Sequence, residues 1–419
     1  MRRWVVLALM LSAGSASAAR AQHLLVPMDD EQTNHLRAYG LAYWALQRGE
    51  AVEWLLNYRA GSFLMRDAQA LRREAALRGI SVQRISTSNL ASIRSEIESS
   101  NMESVILEKA PRIAVYTPPN KLPWDDAVTL ALAYAGIEYD RLWDTEVLAD
   151  KLAEYDWLHL HHEDFTGQFS KFYLTYAGTA WLQEDVARHR RAAQMLGFAS
   201  PPALKAAVAD KIRGYIESGG FVFAMCTATE TIELAIAAIG VDIAASYADG
   251  DGIDPDAQTR MNWERTMAFR DAELFSNPSM SAFSDIDGHL VNTPMRAQLG
   301  TFRVFDFSAK IDPVTTMLTQ NHRRVIRDYY GLTTSYRRTR LKPSVVVLAE
   351  EPSAPWVKYI HGNYGKGSWT FLGGHDPEDP QHVIGDPPTD LDLHPHSPGY
   401  RLILNNVLFP AAKKKQLKT

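Results

Sequence analysis

From residue 111 onward, short apolar runs alternate with amphipathic stretches of helical spacing. Strands are expected at 112–116, 139–143 and 157–162, and helices at 125–135, stopped by Gly136, and 145–153. Two further helices are expected at 180–197 and 203–217, closed by Gly219 and Gly220. The fully apolar run 221–225 then reads as a strand that delivers Cys226, followed by a helix at 230–239. A polar stretch rich in Asp and Pro, about 248–300, reads as an insertion; strands return at 345–348, 356–360 and 368–372, and a last helix at 399–408. Strand–helix alternation of this kind predicts an α/β fold: a doubly wound, mainly parallel sheet with helices on both faces.

Residues 22–108 read as a smaller α/β unit, with strands at 23–27, 52–58, 62–65 and 80–85. Its helices are expected at 33–46, with Leu36, Tyr39, Tyr43 and Leu46 on one side, and at 67–78, ended by Gly79. The alternation again suggests parallel pairing. The serine-rich stretch 95–104 reads as the linker to the larger domain, 109–412.

The first 21 residues change the picture of where the protein works. Arg2 and Arg3 precede an apolar run over 4–11 and small residues over 12–19, the layout of a secretory signal peptide. Cleavage is expected after Ala21, with Ala18 as the competing position, so the mature chain would be exported, periplasmic or extracellular. No segment has the length and apolarity of a transmembrane helix. Cleavage removes three arginines and no acid from a chain of 44 basic and 49 acidic side chains. The mature chain is therefore acidic, which argues against a nucleic-acid partner. The lysines in 413–419 read as a solvated basic tail. The single cysteine, Cys226, excludes an intramolecular disulfide. Ten tryptophans and 17 tyrosines supply aromatic surface for a core or for a small-molecule, peptide or sugar-like substrate.

In such sheets ligands bind beyond the carboxyl ends of the strands. Three strand ends here carry chemistry: His159-Leu160-His161-His162-Glu163-Asp164, Ala224-Met225-Cys226-Thr227-Ala228 and Gly373-Gly374-His375-Asp376-Pro377-Glu378. Around Cys226, a strand, a turn and a helix with alanines two places either side have the form of a nucleophile elbow. The helix start would favour a thiolate and could hold an oxyanion, with Thr227 as one donor. A buried core cysteine is the competing reading. His161, His162 and Glu163 are candidates for substrate contact. No cofactor is required: the histidine segment reads first as a polar strand end whose imidazoles hydrogen-bond to each other and to carboxylates. His159 and His161, two apart on a strand with Glu163 or Asp164 nearby, could instead bind a divalent metal, with His375, Asp376 or His382 as a further ligand. On strand alternation His162 is expected on the opposite face. Asp249, Asp251, Asp254 and Asp256 fail an EF-hand register, since Ile253 falls at a ligand position, and read as a solvated loop. Trp124, Trp157 and Tyr173 read as core or pocket walls.

These motifs resemble the class I glutamine amidotransferase-like superfamily over about 111–247 and 345–409, which implies a flavodoxin-like sheet. The resemblance makes Cys226 the nucleophile, His375 the base and Glu378 the orienting acid. Alanines replace the usual glycines around the cysteine, and Asp376 is inserted after the histidine, so Asp376 or Glu378 would complete the triad. The turn Tyr364-Gly365-Lys366-Gly367 is similar to trehalose-utilisation-type members. Over the whole chain, HLLVPMD, WLLNYRAGSF, YDWLHLHHEDFTGQ, TMLTQNH, GGHDPEDPQH, GDPPTDL and SPGYRLILNNVLFPAAKKK resemble exported Bacteroidetes-type proteins that carry the label asparagine synthetase B. That activity is not expected: the mature start is Gln22 rather than cysteine, and Ser218-Gly219-Gly220 lacks the rest of an ATP-pyrophosphatase loop. Two functions follow. One is an exported cysteine-dependent hydrolase or amidohydrolase-like enzyme. The other is a ligand-binding protein or metal-dependent enzyme using His159, His161 and His162.

Overall fold

The computed structural model describes residues 22–119, 126–280, 282–288, 301–306, 308–312, 320–327, 333, 335–352, 354–379 and 387–412. The signal-like segment 1–21, Trp124, His382 and the basic tail 413–419 lie outside the described residues. Two sheets organise the chain. The first contains β1 (His23–Val26), β2 (Val52–Leu56), β3 (Ser62–Arg66), β4 (Gln83–Ile85) and β5 (Glu103–Leu107) in the order β4-β1-β3-β2-β5.

Every pairing in this sheet is antiparallel, against the parallel expectation. The reason lies in the connection from β2 to β3. Only five residues, Asn57 to Gly61, separate them, and Asn57, Arg59, Ala60 and Gly61 all take positive φ. A parallel crossover needs about a dozen residues. Nor is 95–104 a linker. It holds the end of the helix Thr87–Ser99 and the start of β5. Ser86 caps that helix by accepting from the Asn89 N–H, and Ile93 and Ile97 are buried against Leu25, Leu55 and Leu64. Of the serines that suggested a linker, Ser95 and Ser99 are exposed on this helix, and Ser104 in β5 donates to Glu53 at 2.7 Å.

The other face of this sheet is covered by the helix His35–Gln47, which also packs on the helices Ala127–Ala135 and Pro398–Leu408. A single apolar core therefore runs from Leu24 and Trp54 to Trp157 and Leu404. Arg401, fully buried, fastens the parts: its guanidinium donates to Tyr39 Oη at 3.0 Å, Met28 O at 2.8 Å and Ala60 O.

The second sheet takes β6 (Ile113–Tyr116), β7 (Asp140–Leu142), β8 (Trp157–Leu160), β9 (Phe221–Met225) and β10 (Phe302–Val304). It continues with β11 (Val325–Ile326), β12 (Tyr336–Arg337), β13 (Val346–Glu350), β14 (Trp356–Tyr364) and β15 (Gly367–Leu372). The order is β11-β10-β13-β14-β15-β9-β8-β6-β7, with β12 also paired to β14. From β15 to β7 the pairs are parallel; from β15 outward to β11 they are antiparallel. The fold is thus mixed α/β, with a parallel part carrying helices and an antiparallel extension. Among the described residues no helix is long and apolar enough to cross a membrane.

The stretch expected as a polar insertion also feeds the core. Met267, Ala268, Phe269, Phe283 and Ile286 are buried beside β14, β15 and the helix Thr227–Ala237. Glu233 of that helix, itself buried, accepts from the N–H groups of Met267, Ala268 and Phe269 at 2.8–3.1 Å. Charged and apolar residues alternate too irregularly there for the sequence to show a core segment.

Candidate active site

Register places the three motif-bearing strand ends side by side. Leu160 pairs with Ala224, and Met225 with Leu372, so β8, β9 and β15 finish at one level. Cys226 follows β9 with φ 51° and ψ −143°, a strained backbone for a residue with a side chain, and the helix Thr227–Ala237 starts at the next residue. Ala224 and Ala228 are completely buried, which explains why both places hold small residues. The turn is stitched to both neighbours: Cys226 N–H donates to Gly374 O at 3.1 Å, and Ala228 N–H to His161 O at 2.9 Å. The Thr231 hydroxyl donates to Glu163 O at 2.9 Å. Gly374, at φ 92°, allows the chain after β15 to bend toward the cysteine. The thiol is 2% exposed and lies 3.6 Å from the Thr227 hydroxyl.

The histidines form a continuous group. His375 Nδ1 is 2.7 Å from Asp376 Oδ2, and its Nε2 is 3.0 Å from His162 Nδ1, with the two rings edge to edge, nearly parallel and 5.0 Å apart between centroids. His161 lies against both, its ring centroid 4.3 Å from His375 and 4.5 Å from His162. His161 Nδ1 is 3.3 Å from Asp126 Oδ1 and 3.3 Å from His159 Nε2. His159 turns its Nδ1 to Phe223 O at 3.0 Å. The hydrogen-bond network assigns the tautomers: Nδ1–H of His161 faces Asp126 and Nδ1–H of His375 faces Asp376, which leaves a lone pair on each Nε2. Nε2 of His161 is buried and has no hydrogen-bond partner among the described residues.

Burial lowers the affinity of His161 for a proton, partly opposed by the Asp126 charge, so the imidazole stays neutral more readily than a free one. Burial acts to raise the Asp126 carboxyl, but the neighbouring His159 and His161 hold it well below the usual carboxylate range. Asp126 has a second duty as N-cap of the helix Ala127–Ala135, accepting from Val128 N–H at 2.8 Å and Thr129 N–H at 3.0 Å.

Several expectations change here. His162 does not sit on the far face, because β8 ends at Leu160 and strand alternation stops applying. Asp376 is the carboxylate on His375; Glu378 lies 3.6 Å from His394 instead, with its backbone at φ 66°. His159 is a completely buried strand residue, and with His161 and Asp126 it forms one group whose ligand atoms lie within 4.8 Å of one another. Asp164 closes its own loop by accepting from the N–H groups of Thr166, Gln168 and Ser170. Trp157 is core, and Tyr173 stacks on Tyr247 at 4.8 Å, away from the strand ends. Asp254 and Asp256 pair with Arg260.

Three residues that sequence reasoning missed lie close by. Asp126 left a signal, an acid just before an apolar helix. Lys358 of β14 and Glu230 left none, since only tertiary structure buries them. Lys358 is completely buried and its amine is pushed down to about 7 by desolvation, with Glu351, Asp287 and Cys226 opposing. Glu230, one turn after Cys226, accepts from the Ser284 hydroxyl at 2.5 Å and the Thr333 hydroxyl at 3.0 Å. Burial raises it from the ordinary 4.5 to about 7. The folded state therefore favours protonated Glu230; that stability is complete below about pH 4.5 and is lost as pH rises through 7. Glu230→Gln is expected to shrink the loss of stability between about pH 4 and pH 8 by on the order of 3 kcal/mol, measured by urea unfolding. An unchanged pH dependence would show that Glu230 titrates normally.

No family model matches the chain, and no curated protein matches it. Among solved structures, two cytoplasmic proteins of Salmonella typhimurium, STM3548 and STM1381, align over 73% and 72% of this chain and all of their own. Their identities are 10% and 12%, each with a TM-score of 0.34. A GMP synthase subunit-like protein from Thermoplasma acidophilum aligns over 72% of this chain and 94% of its own, at 9% identity and the same TM-score. At this level none of them bears on what the chain does.

Proposed function

We propose that the protein is an exported hydrolase of amide or ester bonds, built on a flavodoxin-like, class I glutamine amidotransferase-like plan, whose centre is the histidine group at the strand ends. One observation carries this reading: two imidazoles backed by carboxylates, Asp126–His161 and Asp376–His375, meet beside His162, where the His161 Nε2 has no hydrogen-bond partner among the described residues and the His375 Nε2 accepts from His162. Water held there by the His161 Nε2 lone pair would give its proton to that nitrogen as it attacks a carbonyl carbon. The start of the helix Thr227–Ala237, with Thr227 N–H first, supports the oxygen that gains charge. The run of parallel strands with the cysteine turn after β9 and the histidine after β15 supports the fold kinship.

A second reading makes Cys226 the nucleophile, with His375 as base and Asp376 behind it. The positive φ of Cys226 favours it, because strain of that kind recurs at functional turns. The experiment that separates the two is Cys226→Ala, assayed against a panel of amide and ester substrates. The histidine-centred reading expects turnover within a few-fold of the parent. A loss beyond about a hundredfold with an unchanged melting temperature would move the chemistry to the thiol.

A further inference from the structure

We propose that His161, His162 and His375 together bind one divalent first-row transition ion, of the zinc class, through His161 Nε2, His162 Nδ1 and His375 Nε2. The inference rests on the histidine-centred reading and deepens it, since the water of that reading becomes ion-bound. One ring nitrogen from each residue lies within 4.8 Å of the other two. Zinc–nitrogen bonds of about 2.0–2.1 Å at a tetrahedral angle put two ligand nitrogens about 3.3 Å apart. The His162–His375 pair, at 3.0 Å, is about 0.3 Å short of that spacing and would part slightly to take the ion.

The second observation is the partnerless Nε2 of His161, on a side chain 3% exposed. A buried ring nitrogen without a partner is costly, and an ion would satisfy it. The layer behind has the form that metal sites use to orient imidazole ligands: Asp126 on Nδ1 of His161 and Asp376 on Nδ1 of His375. Both carboxylates hold the tautomer that leaves Nε2 for the ion. The proton that joins His162 to His375 without metal shifts to the other nitrogen of His162 when the ion binds.

The neighbouring group Asp126, His159 and His161 is also compact but is already satisfied. His159 Nδ1 donates to Phe223 O, its Nε2 faces Asp126 at 3.3 Å, and Asp126 is taken up further by two helix N–H groups and His161. It therefore serves as support, and the ion sits one layer forward. Three protein nitrogens would leave a fourth position for water, the pattern of catalytic rather than structural zinc sites.

The test uses the purified full chain, stripped with a chelator and titrated with Co²⁺. One cobalt per chain is expected, with the visible absorption of a tetrahedral site. His162→Ala and His375→Gln are expected to lose that absorption, and Asp376→Asn to weaken cobalt binding about 10–100-fold while the melting temperature of the metal-free protein holds. His162 is only half-buried, so His162→Ala decides the matter even where a buried variant does not fold. Substoichiometric cobalt in the parent, or an unchanged spectrum in His162→Ala, would overturn the site. Stoichiometric cobalt without turnover on any substrate upholds the ion and removes the hydrolase reading. Turnover that persists undiminished in chelated, cobalt-free protein overturns the ion-bound water and leaves the hydrolase standing.

Discussion

Turnover is expected to fall by about a thousandfold or more when His375 is replaced by alanine, with the fold intact. The ring stands at the junction of everything proposed for the site. Its Nδ1 is held by Asp376, its Nε2 faces His162, and its centroid lies 4.3 Å from that of His161. Whether it carries a proton, an ion or the base of a triad, no neighbour replaces it: His161 is held through Nδ1 by Asp126, and the Nδ1 of His162 faces His375 itself. His375→Ala removes the ring beyond the end of β15 and leaves the strand's backbone pairing with β9 and β14 untouched. Retained turnover on a substrate that the parent hydrolyses would place the chemistry elsewhere.

Replacing Glu233 by alanine is expected to cost on the order of 3–5 kcal/mol of stability, read from the urea midpoint at constant slope. One carboxylate here serves three consecutive backbone N–H groups, those of Met267, Ala268 and Phe269, all in the interior. Alanine would strand these donors where water does not reach. Burial raises the Glu233 carboxyl while the three N–H groups oppose the shift. Glu233→Gln keeps one acceptor oxygen and should cost less than alanine. Equal stability of the alanine variant and the parent would mean that residues 267–269 find other partners.

Most of the larger domain is legible because its strands are short, apolar and separated by helices of clear period. The run 221–225 is both the plainest strand in the sequence and an interior strand of the sheet, between β15 and β8. The smaller unit misled because its pattern of strands and helices is the same whether strands pair parallel or antiparallel. Only the shortness of the Tyr58–Ala60 turn tells them apart. The three motif segments could be placed at one edge by topology alone, and they do meet there. What the sequence does not contain is direction. Which way His375 turns its Nε2, and that Asp126 stands behind His161, depend on side-chain packing among segments far apart in the chain. Buried Lys358 and Glu230 escape for the same reason, since residue type alone points them to solvent.

The pairing of Phe221 with Ser368 has a consequence for how the protein comes into being. Strands β9 and β15 are neighbours in the sheet, yet the whole antiparallel extension and the segment beneath Glu233 are threaded between them. A chain emerging from its N-terminus can form β8, β9 and the cysteine turn while His375 is still unmade. Closing so long a loop precedes any reward from the contacts it brings, so β15 should dock slowly and late. The chemistry of the site is then withheld until the last third of the chain has arrived. A fragment ending before residue 367 would hold Cys226, His161 and His162 in place of a working centre, and adding the missing segment as a separate peptide would ask whether the site can be completed in trans.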